Sequence, residues 1–181
     1  MAGEIQTASA ISWKDAVSDV GTVQLYPLGS KREEDGQIYR YCEVNDATVT
    51  LAAGVLVYRG STQASLWEIT GDVSDSDSAF CVGAAMGAIA DNGFGWVKTK
   101  GYVASLKKKP GTAAYSLAKG DVLVAAQAAT DDGRASRLII AASTKVAAAE
   151  LRSALERPIG WAAAAATKSS LTCAAYISCE D

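Results

Sequence analysis

The chain has 181 residues and a formal net charge of -3; 49% of its residues are hydrophobic and 20% are charged. This length suits one compact domain, or one domain with an arm, and the composition is that of an ordinary globular protein rather than a disordered one. The acidic balance argues against a surface that binds nucleic acid throughout, because such domains are usually strongly basic.

The sequence predicts no membrane span and no secretory signal. Its longest apolar run is IGWAAAAA, residues 159–166, whereas a helix needs about 20 apolar residues to cross a bilayer. Glu4 stands where a secretory signal carries positive charge, and no long hydrophobic stretch follows it. We therefore expect synthesis and folding in a cytoplasm.

The first 35 residues differ from the rest, because their apolar residues are isolated and follow no sustained period. The segment ends in the charge run KREED before Gly36. We predict an extended N-terminal arm over residues 1–35, followed by a β domain over residues 36–181. The alternative is an ordinary first strand, TVQLYPL, that leads into a solvated charged turn.

From Gln37 onward, short runs rich in β-branched and aromatic residues alternate with glycine or Asp/Asn clusters, which is typical of many short strands. Turn signals such as Asp91-Asn92-Gly93 and Pro110-Gly111 lie between the runs. About nine strands at this spacing predict a mainly β fold, a small barrel or sandwich of short antiparallel strands. The runs are QIYRYCEV, GVLVYRG, SLWEIT, AFCVGAAMGAI, GWVKTKGYVASL, GDVLVAAQ, SRLIIAAS, IGWAAAAA and LTCAAYIS.

One segment, TKVAAAELRSALERP, has helical periodicity instead, with alanine and leucine recurring on one stripe. Thr144 is placed to cap its start and Pro158 to stop its end. We predict one short helix near the C-terminus, from about Lys145 to Glu156. The WAAAAAT run that follows favours helix by composition, but Pro158 and Gly160 before it indicate a hairpin with LTCAAYI.

A short motif occurs twice, as LAAGVLV at residues 51–57 and LAKGDVLV at residues 117–124. Both copies have Leu-Ala-x-Gly before a run of Val and Leu. We interpret each copy as a glycine turn that leads into a strand, in which Gly54 and Gly120 take a positive φ.

The sequence offers little catalytic or metal-binding chemistry. The absence of histidine excludes Ser/His/Asp and Cys/His mechanisms and histidine metal sites. Asp72, Asp75 and Asp77 are close in sequence but lack the spacing of an EF-hand loop, so we interpret them as a solvated loop. We predict no catalytic residue, no cofactor and no metal.

The four cysteines form no CxxC unit. Cys173 and Cys179 share one face of a predicted strand with Ala175 and Ile177, and an extended chain holds these two cysteines about 20 Å apart. That distance is too large for a disulfide, so we expect buried small apolar side chains.

Two basic stretches are candidate contact surfaces. The run KKKP, residues 107–110, is predicted to form a solvated hairpin tip, with contact to phosphate or an acidic protein surface as the alternative. In GWVKTKG, strict alternation places Trp96, Lys98 and Lys100 on the wetter face of a strand and Val97 on the other face.

The order of these motifs resembles that of small β-barrel head proteins of tailed bacteriophages, the decoration or cement proteins that clamp capsomers from outside. The likeness covers roughly residues 36–181. In that family, a phrase G-x-A-x-x-x-I-A-x-x-x-x-G-W-V joins two barrel strands and P-I-G-x-A begins a late strand; here they match Gly83–Val97 and Pro158–Ala162.

This resemblance implies a non-enzymatic virion protein that binds the major capsid protein on the capsid exterior after synthesis in the host cytoplasm. Such a protein is expected to be a trimer, to bind neither nucleic acid nor membrane, and to stabilise the shell through many weak contacts. An arm of this kind would be ordered on docking. The candidate capsid or subunit contacts are Trp13, Tyr26 and Leu28 in the arm, unless these are core residues of a first strand, and Trp96, Lys98 and Lys100 in the domain.

Two other classes of function remain open. A carbohydrate- or surface-binding β module of a phage fibre or spike would have a cleft lined by Trp67, Trp96 and Tyr102. A histidine-free hydrolase would have converging carboxylates from Asp75 and Asp77, or a nearby serine.

Overall fold

The computed structural model describes residues 15–45, 51–60, 65, 67–72, 76–110, 116–125, 134–137 and 158–179. This part of the chain is mainly β, as predicted, and it contains no helix long and apolar enough to cross a membrane. Each of the nine predicted runs overlaps one strand, whereas the predicted helix from Lys145 to Glu156 lies outside the described residues. The strands are β1 (Val20–Gly21), β2 (Lys31–Glu34), β3 (Gln37–Val44), β4 (Leu56–Gly60), β5 (Glu68–Thr70), β6 (Ser76–Ala85), β7 (Phe94–Lys107), β8 (Val122–Ala125), β9 (Ala135–Arg137), β10 (Gly160–Ala162) and β11 (Thr172–Ser178).

Five strands close into a small barrel, which we call the first barrel. Its order is β3-β5-β4-β6-β7, and β7 pairs back onto β3. The β3–β5 contact is parallel and the other four contacts are antiparallel. Every barrel strand contributes a small or β-branched inward side chain, which suits a narrow interior. These residues are Cys42, Val44, Val57, Ile69, Ala85 and Val97.

Strands β8–β11 together with β7 repeat this arrangement, and we call these five strands the second barrel. Their order is β7-β11-β10-β8-β9, so the long strand β7 belongs to both barrels. Its residues 94–100 pair with β3, and its residues 100–107 pair with β11. An isolated parallel bridge between Lys108 and Ala135 then joins the end of β7 to β9, as the parallel β3–β5 contact does in the first barrel.

Matching hydrogen bonds show that the two barrels share one local design. The amide of Gly54 donates to the Ala85 carbonyl over 2.8 Å, and the amide of Gly120 donates to the Ala162 carbonyl over 2.8 Å. Both glycines have a positive φ, 80° and 90°, which confirms the interpretation of the repeated motif. The repeated motif therefore marks equivalent positions in the two barrels.

Protein covers the outer face of the first barrel in two places. On one side, its outward residues Leu56 and Ala84 pack in one apolar cluster with the inward residues Leu123 and Ala162 of the second barrel. On another side, the arm packs over an aromatic cluster that includes Trp96. The first barrel therefore has apolar contacts on its inside and on much of its outside.

The described part of the arm, residues 15–35, packs on the first barrel and contributes two strands. The alternative strand TVQLYPL is wrong, since residues 22–28 contain no strand; Pro27 interrupts that run. The charge run instead forms β2, which pairs with β3 through a turn at Asp35 and Gly36. Both turn residues have a positive φ, 49° and 72°, as a tight hairpin between these strands requires.

The lysine run at residues 107–109 is not a solvated hairpin tip, contrary to the prediction. Strand β7 extends through Lys107, and the Lys108 side chain is only 1% exposed. Its Nζ donates to the carbonyls of Lys109 at 2.9 Å and Ser170 at 3.3 Å. These carbonyls replace water around the ammonium group, and burial lowers the pKa of Lys108.

Candidate docking surface

Three aromatic side chains lie side by side on the open face of the second barrel. Tyr102 of β7 is directly opposite Tyr176 of β11, which is opposite Trp161 of β10, which is opposite Val122 of β8. Their exposed fractions are 42% for Tyr102, 44% for Tyr176, 49% for Trp161 and 39% for Val122. We call these four residues the aromatic row.

The rings of the aromatic row contact each other. The ring centroids of Tyr102 and Tyr176 are 5.4 Å apart at 55°, and those of Tyr176 and Trp161 are 5.8 Å apart at 30°. With strands spaced by about 4.8 Å, the row crosses roughly 14 Å of sheet surface. Contact between neighbours already restricts the rotamers of these rings, so a bound partner would order them at little further entropic cost.

Strand alternation directs these side chains outward. Tyr176 lies between Ala175 and Ile177, which both point into the second barrel and are buried. Trp161 likewise precedes Ala162, which is buried in the same cluster. Each strand therefore has small or aliphatic residues on its inner face and a large aromatic residue on its outer face.

The same face of the first barrel is covered. Leu56 of β4 pairs with Ala84 of β6, which pairs with Lys98 of β7. All three are buried, and Leu56 and Ala84 contact the second barrel. Val122, Trp161 and Tyr176 of the aromatic row pair in the same way across β8, β10 and β11. The aromatic row thus occupies a position that is covered by protein in the first barrel. Large exposed apolar surface in such a position indicates a contact site.

Trp96, the central candidate from the sequence, is 0% exposed, so the expectation that it lies on a wetter face is wrong. Its Nε1 donates to the carboxylate of Asp15 over 2.9 Å. The ring of Tyr26 lies 5.4 Å from the Trp96 ring, and the guanidinium of Arg32 lies 5.6 Å from its centroid. The chain's own arm therefore covers Trp96.

Lys98 and Lys100 have different surroundings, although alternation places them on one face. Lys98 is 5% exposed; its Nζ donates to Gln37 Oε1 and, over 2.6 Å, to the carbonyl of Tyr102, and burial lowers its pKa. Lys100 is exposed. The prediction of a solvent-exposed face is therefore correct for Lys100. It is wrong for Lys98, because protein covers both faces of β7 at that position. Val97 lies in the barrel interior, as predicted.

The arm candidates contact their own barrel. Tyr26 and Leu28 are half-buried and pack against the cluster that contains Tyr41 and Trp96. The Tyr26 hydroxyl also donates to the carboxylate of Asp15. Trp13 lies outside the described residues.

Asp15 makes the arm sensitive to pH. Partial burial acts to raise its pKa, but hydrogen bonds from Tyr26 and Trp96 hold the pKa below the ordinary value of 3.8. A carboxyl with a lowered pKa in the folded state stabilises the fold above its unfolded pKa, and this contribution is lost as pH falls through the folded value. We expect Tm to fall more steeply below about pH 4 in the natural protein than in Asp15→Asn. Thermal unfolding across this range measures both slopes, and equal slopes would exclude the linkage.

The cleft predicted for a carbohydrate-binding module does not assemble, and the carboxylates predicted for a hydrolase lie partly outside the described residues. Of the three residues predicted to line a sugar cleft, only Tyr102 is exposed: Trp96 is buried, and Trp67 is half-buried with the Arg40 guanidinium 5.2 Å from its ring centroid. Asp75 lies outside the described residues, and Asp77 lies in β6. Within the described ranges, no group of three His, Cys, Asp or Glu side chains could hold a metal ion.

Trp161 and Tyr176 are not among the contact residues predicted from the sequence, although the sequence carries a signal for Tyr176. Tyr176 is the one large aromatic residue among small and aliphatic neighbours in LTCAAYIS, and alternation places it on the face opposite to that of Ala175 and Ile177.

No protein-family model, curated protein or solved structure matches the chain.

Proposed function

We propose that this chain is a non-enzymatic structural protein that docks on the outside of a phage capsid and stabilises the shell, as a decoration or cement protein. The observation that carries the proposal is the aromatic row on the open face of the second barrel. The partner is the major capsid protein, and the resemblance to decoration proteins favours a trimer as the docking unit.

The chemistry of the aromatic row suits a protein surface. Tyrosine and tryptophan dominate the binding energy of protein interfaces because each buries a large apolar area and adds one polar group at its edge. A row of adjacent rings on a rigid sheet keeps this area preorganised. A modest contact repeated by many copies, and multiplied within an oligomer, is sufficient to stabilise a shell.

The experiment uses heads assembled from the major capsid protein without this chain. Purified protein is added, bound copies are quantified after sedimentation, and head stability is followed by heating. We expect binding and an increase in the melting temperature of the heads. Trp161→Ala is expected to weaken binding by at least about 30-fold, because a central aromatic contact contributes about 2 kcal/mol or more.

Val23→Ala is the matched control, because Val23 is also apolar and exposed but lies in the arm. We expect it to bind heads as the natural protein does. Both variants must retain the Tm of the free natural protein for the comparison to hold. Heads that take up no natural protein, or equal binding by Trp161→Ala, would refute the proposal.

Glycan binding is the second candidate, because three rings in line on a sheet can also stack on sugar rings. This function is that of a carbohydrate- or surface-binding module of a fibre or spike, with Tyr102, Trp161 and Tyr176 as its platform. Titration with soluble oligosaccharides separates the two functions. Trp161-dependent sugar binding without binding to heads would favour the second candidate.

A further inference from the structure

Two cysteines that are 98 residues apart in sequence meet between the barrels. The Sγ atoms of Cys81 and Cys179 are 3.8 Å apart, with the thiol of Cys179 directed at the sulfur of Cys81. Cys81 lies on β6 of the first barrel, and Cys179 directly follows β11 of the second barrel. Both thiols are free, and both pack against the apolar cluster that joins the barrels.

The backbone fixes both positions. Cys81 is opposite Tyr58 in the β4–β6 pairing, and Tyr58 belongs to the buried layer between the barrels. The amide of Cys179 donates to the carbonyl of Thr99 over 2.8 Å, which ties the end of β11 to β7. The two sulfurs therefore stay close because strands on either side of the layer hold them, rather than through a chance contact of mobile side chains.

We propose that Cys81 and Cys179 are a redox modification site that forms an intramolecular disulfide when the protein meets a small-molecule disulfide such as oxidised glutathione. The bond requires a sulfur separation of about 2.05 Å, so the two Sγ atoms must approach each other by about 1.8 Å. Rotation of the two side chains can supply such a movement without a change of strand register. The disulfide would connect the two barrels covalently.

Thiol–disulfide exchange accounts for every atom and electron. The Cys179 thiolate attacks one sulfur of oxidised glutathione, forms a mixed disulfide and expels one glutathione thiolate, which takes up the proton that Cys179 lost. The Cys81 thiolate then attacks Cys179 Sγ, forms the Cys81–Cys179 bond and expels the second glutathione thiolate, which takes up the Cys81 proton. Two protein thiols are oxidised, and one glutathione disulfide is reduced to two molecules of glutathione.

The distance between the sulfurs decides which cysteines pair, and burial sets how fast they react. The hydrogen bond from Cys179, together with burial, raises the pKa of Cys81, so the second step is slow at neutral pH and faster in mild alkali. Burial raises the pKa of Cys173 to about 11, and it also raises the pKa of the fully buried Cys42. Since burial raises the pKa of Cys81 as well, the 3.8 Å approach of Cys179 distinguishes this pair, and Cys42 and Cys173 are expected to remain reduced under the same conditions.

The experiment treats the folded protein with oxidised glutathione at about pH 8, then blocks free thiols and denatures the protein. We expect the number of free thiols to fall from four to two per chain. Digestion with trypsin and then chymotrypsin, which cuts after Tyr176, separates Cys173 from Cys179 and should yield a linked peptide pair containing Cys81 and Cys179. The Tm of the oxidised protein is expected to be about 5 to 15 °C higher, because the bond closes a long loop of the unfolded chain.

Cys173→Ala is the matched control, since Cys173 packs in the same cluster and is expected to leave the cross-link intact. Cys81→Ser and Cys179→Ser are expected to form no intramolecular cross-link. Four free thiols after treatment, or a cross-link from Cys81 to a different cysteine, would overturn the proposal. Binding to heads plays no part in this readout, so the result is independent of the proposed function.

Discussion

Replacing Trp96 with alanine is expected to lower the free energy of unfolding by about 3 to 5 kcal/mol, as truncation of a buried tryptophan generally does. Trp96 is fully buried between the first barrel and the arm, where it packs against Tyr26 and Tyr41. The substitution removes these contacts and also the Nε1 donor of Asp15. Urea unfolding with linear extrapolation measures the change.

Trp161→Ala is the matched control, because it removes the same side chain from an exposed position of the aromatic row. We expect it to change the free energy of unfolding by less than about 1 kcal/mol. A loss of similar size in the two variants would contradict the assignment of Trp96 as a core residue held by the arm.

Replacing Gly54 with alanine is expected to cost about 3 kcal/mol or more. Its φ is 80°, a left-handed conformation that costs other residues about 1 to 2 kcal/mol. A Cβ at this position would also lie 2.1 Å from the carbonyl oxygen of Ser105, which is backbone of β7 and cannot move alone. Both barrels share β7, so a shift there disturbs the packing of each.

Gly120 provides a control within the same chain, since it has the equivalent position in the second barrel. Its φ is 90°, but a Cβ there would meet nothing within 4 Å. We expect Gly120→Ala to cost only the conformational term of about 1 to 2 kcal/mol. Thermal unfolding of both variants measures the difference, and equal Tm losses would show that the contact with Ser105 has no effect.

Local pattern was sufficient to predict most strands. QIYRYCEV is β3 residue for residue, and LTCAAYIS contains β11 with one residue to spare. Both runs combine alternation with β-branched or aromatic residues and end at turn signals. The positive φ of Gly54 and Gly120 was also predictable, because only the local turn decides it.

Alternation could not show what covers each face. It placed Trp96 and Lys98 together correctly, but the residue that accepts the Trp96 hydrogen bond is 81 positions earlier in the chain. The face of β7 that carries Trp96 was therefore predicted to be solvent-exposed, although the arm packs over it. Closure of the first barrel is hidden from local pattern for the same reason, since the β3–β7 pairing joins strands that are distant in sequence.

The candidate site was only partly predictable for the same reason. Tyr102 was predicted only as part of a sugar-binding cleft, and it becomes part of the aromatic row because β11 and β10 bring Tyr176 and Trp161 beside it. The approach of Cys81 to Cys179 is equally invisible in the sequence, because no short spacing marks a contact between the two barrels.

The position of β7 in both barrels sets an order of folding during synthesis. The first barrel has all its strands once residue 107 has left the ribosome, whereas the second needs residues up to Ser178. At about 5 to 20 residues per second, roughly 4 to 14 s separate these events. During that interval Leu56, Tyr58 and Ala84 lack the layer that later buries them. We therefore expect nascent chains halted shortly after β7 to bind chaperones, and completed chains to be released from them.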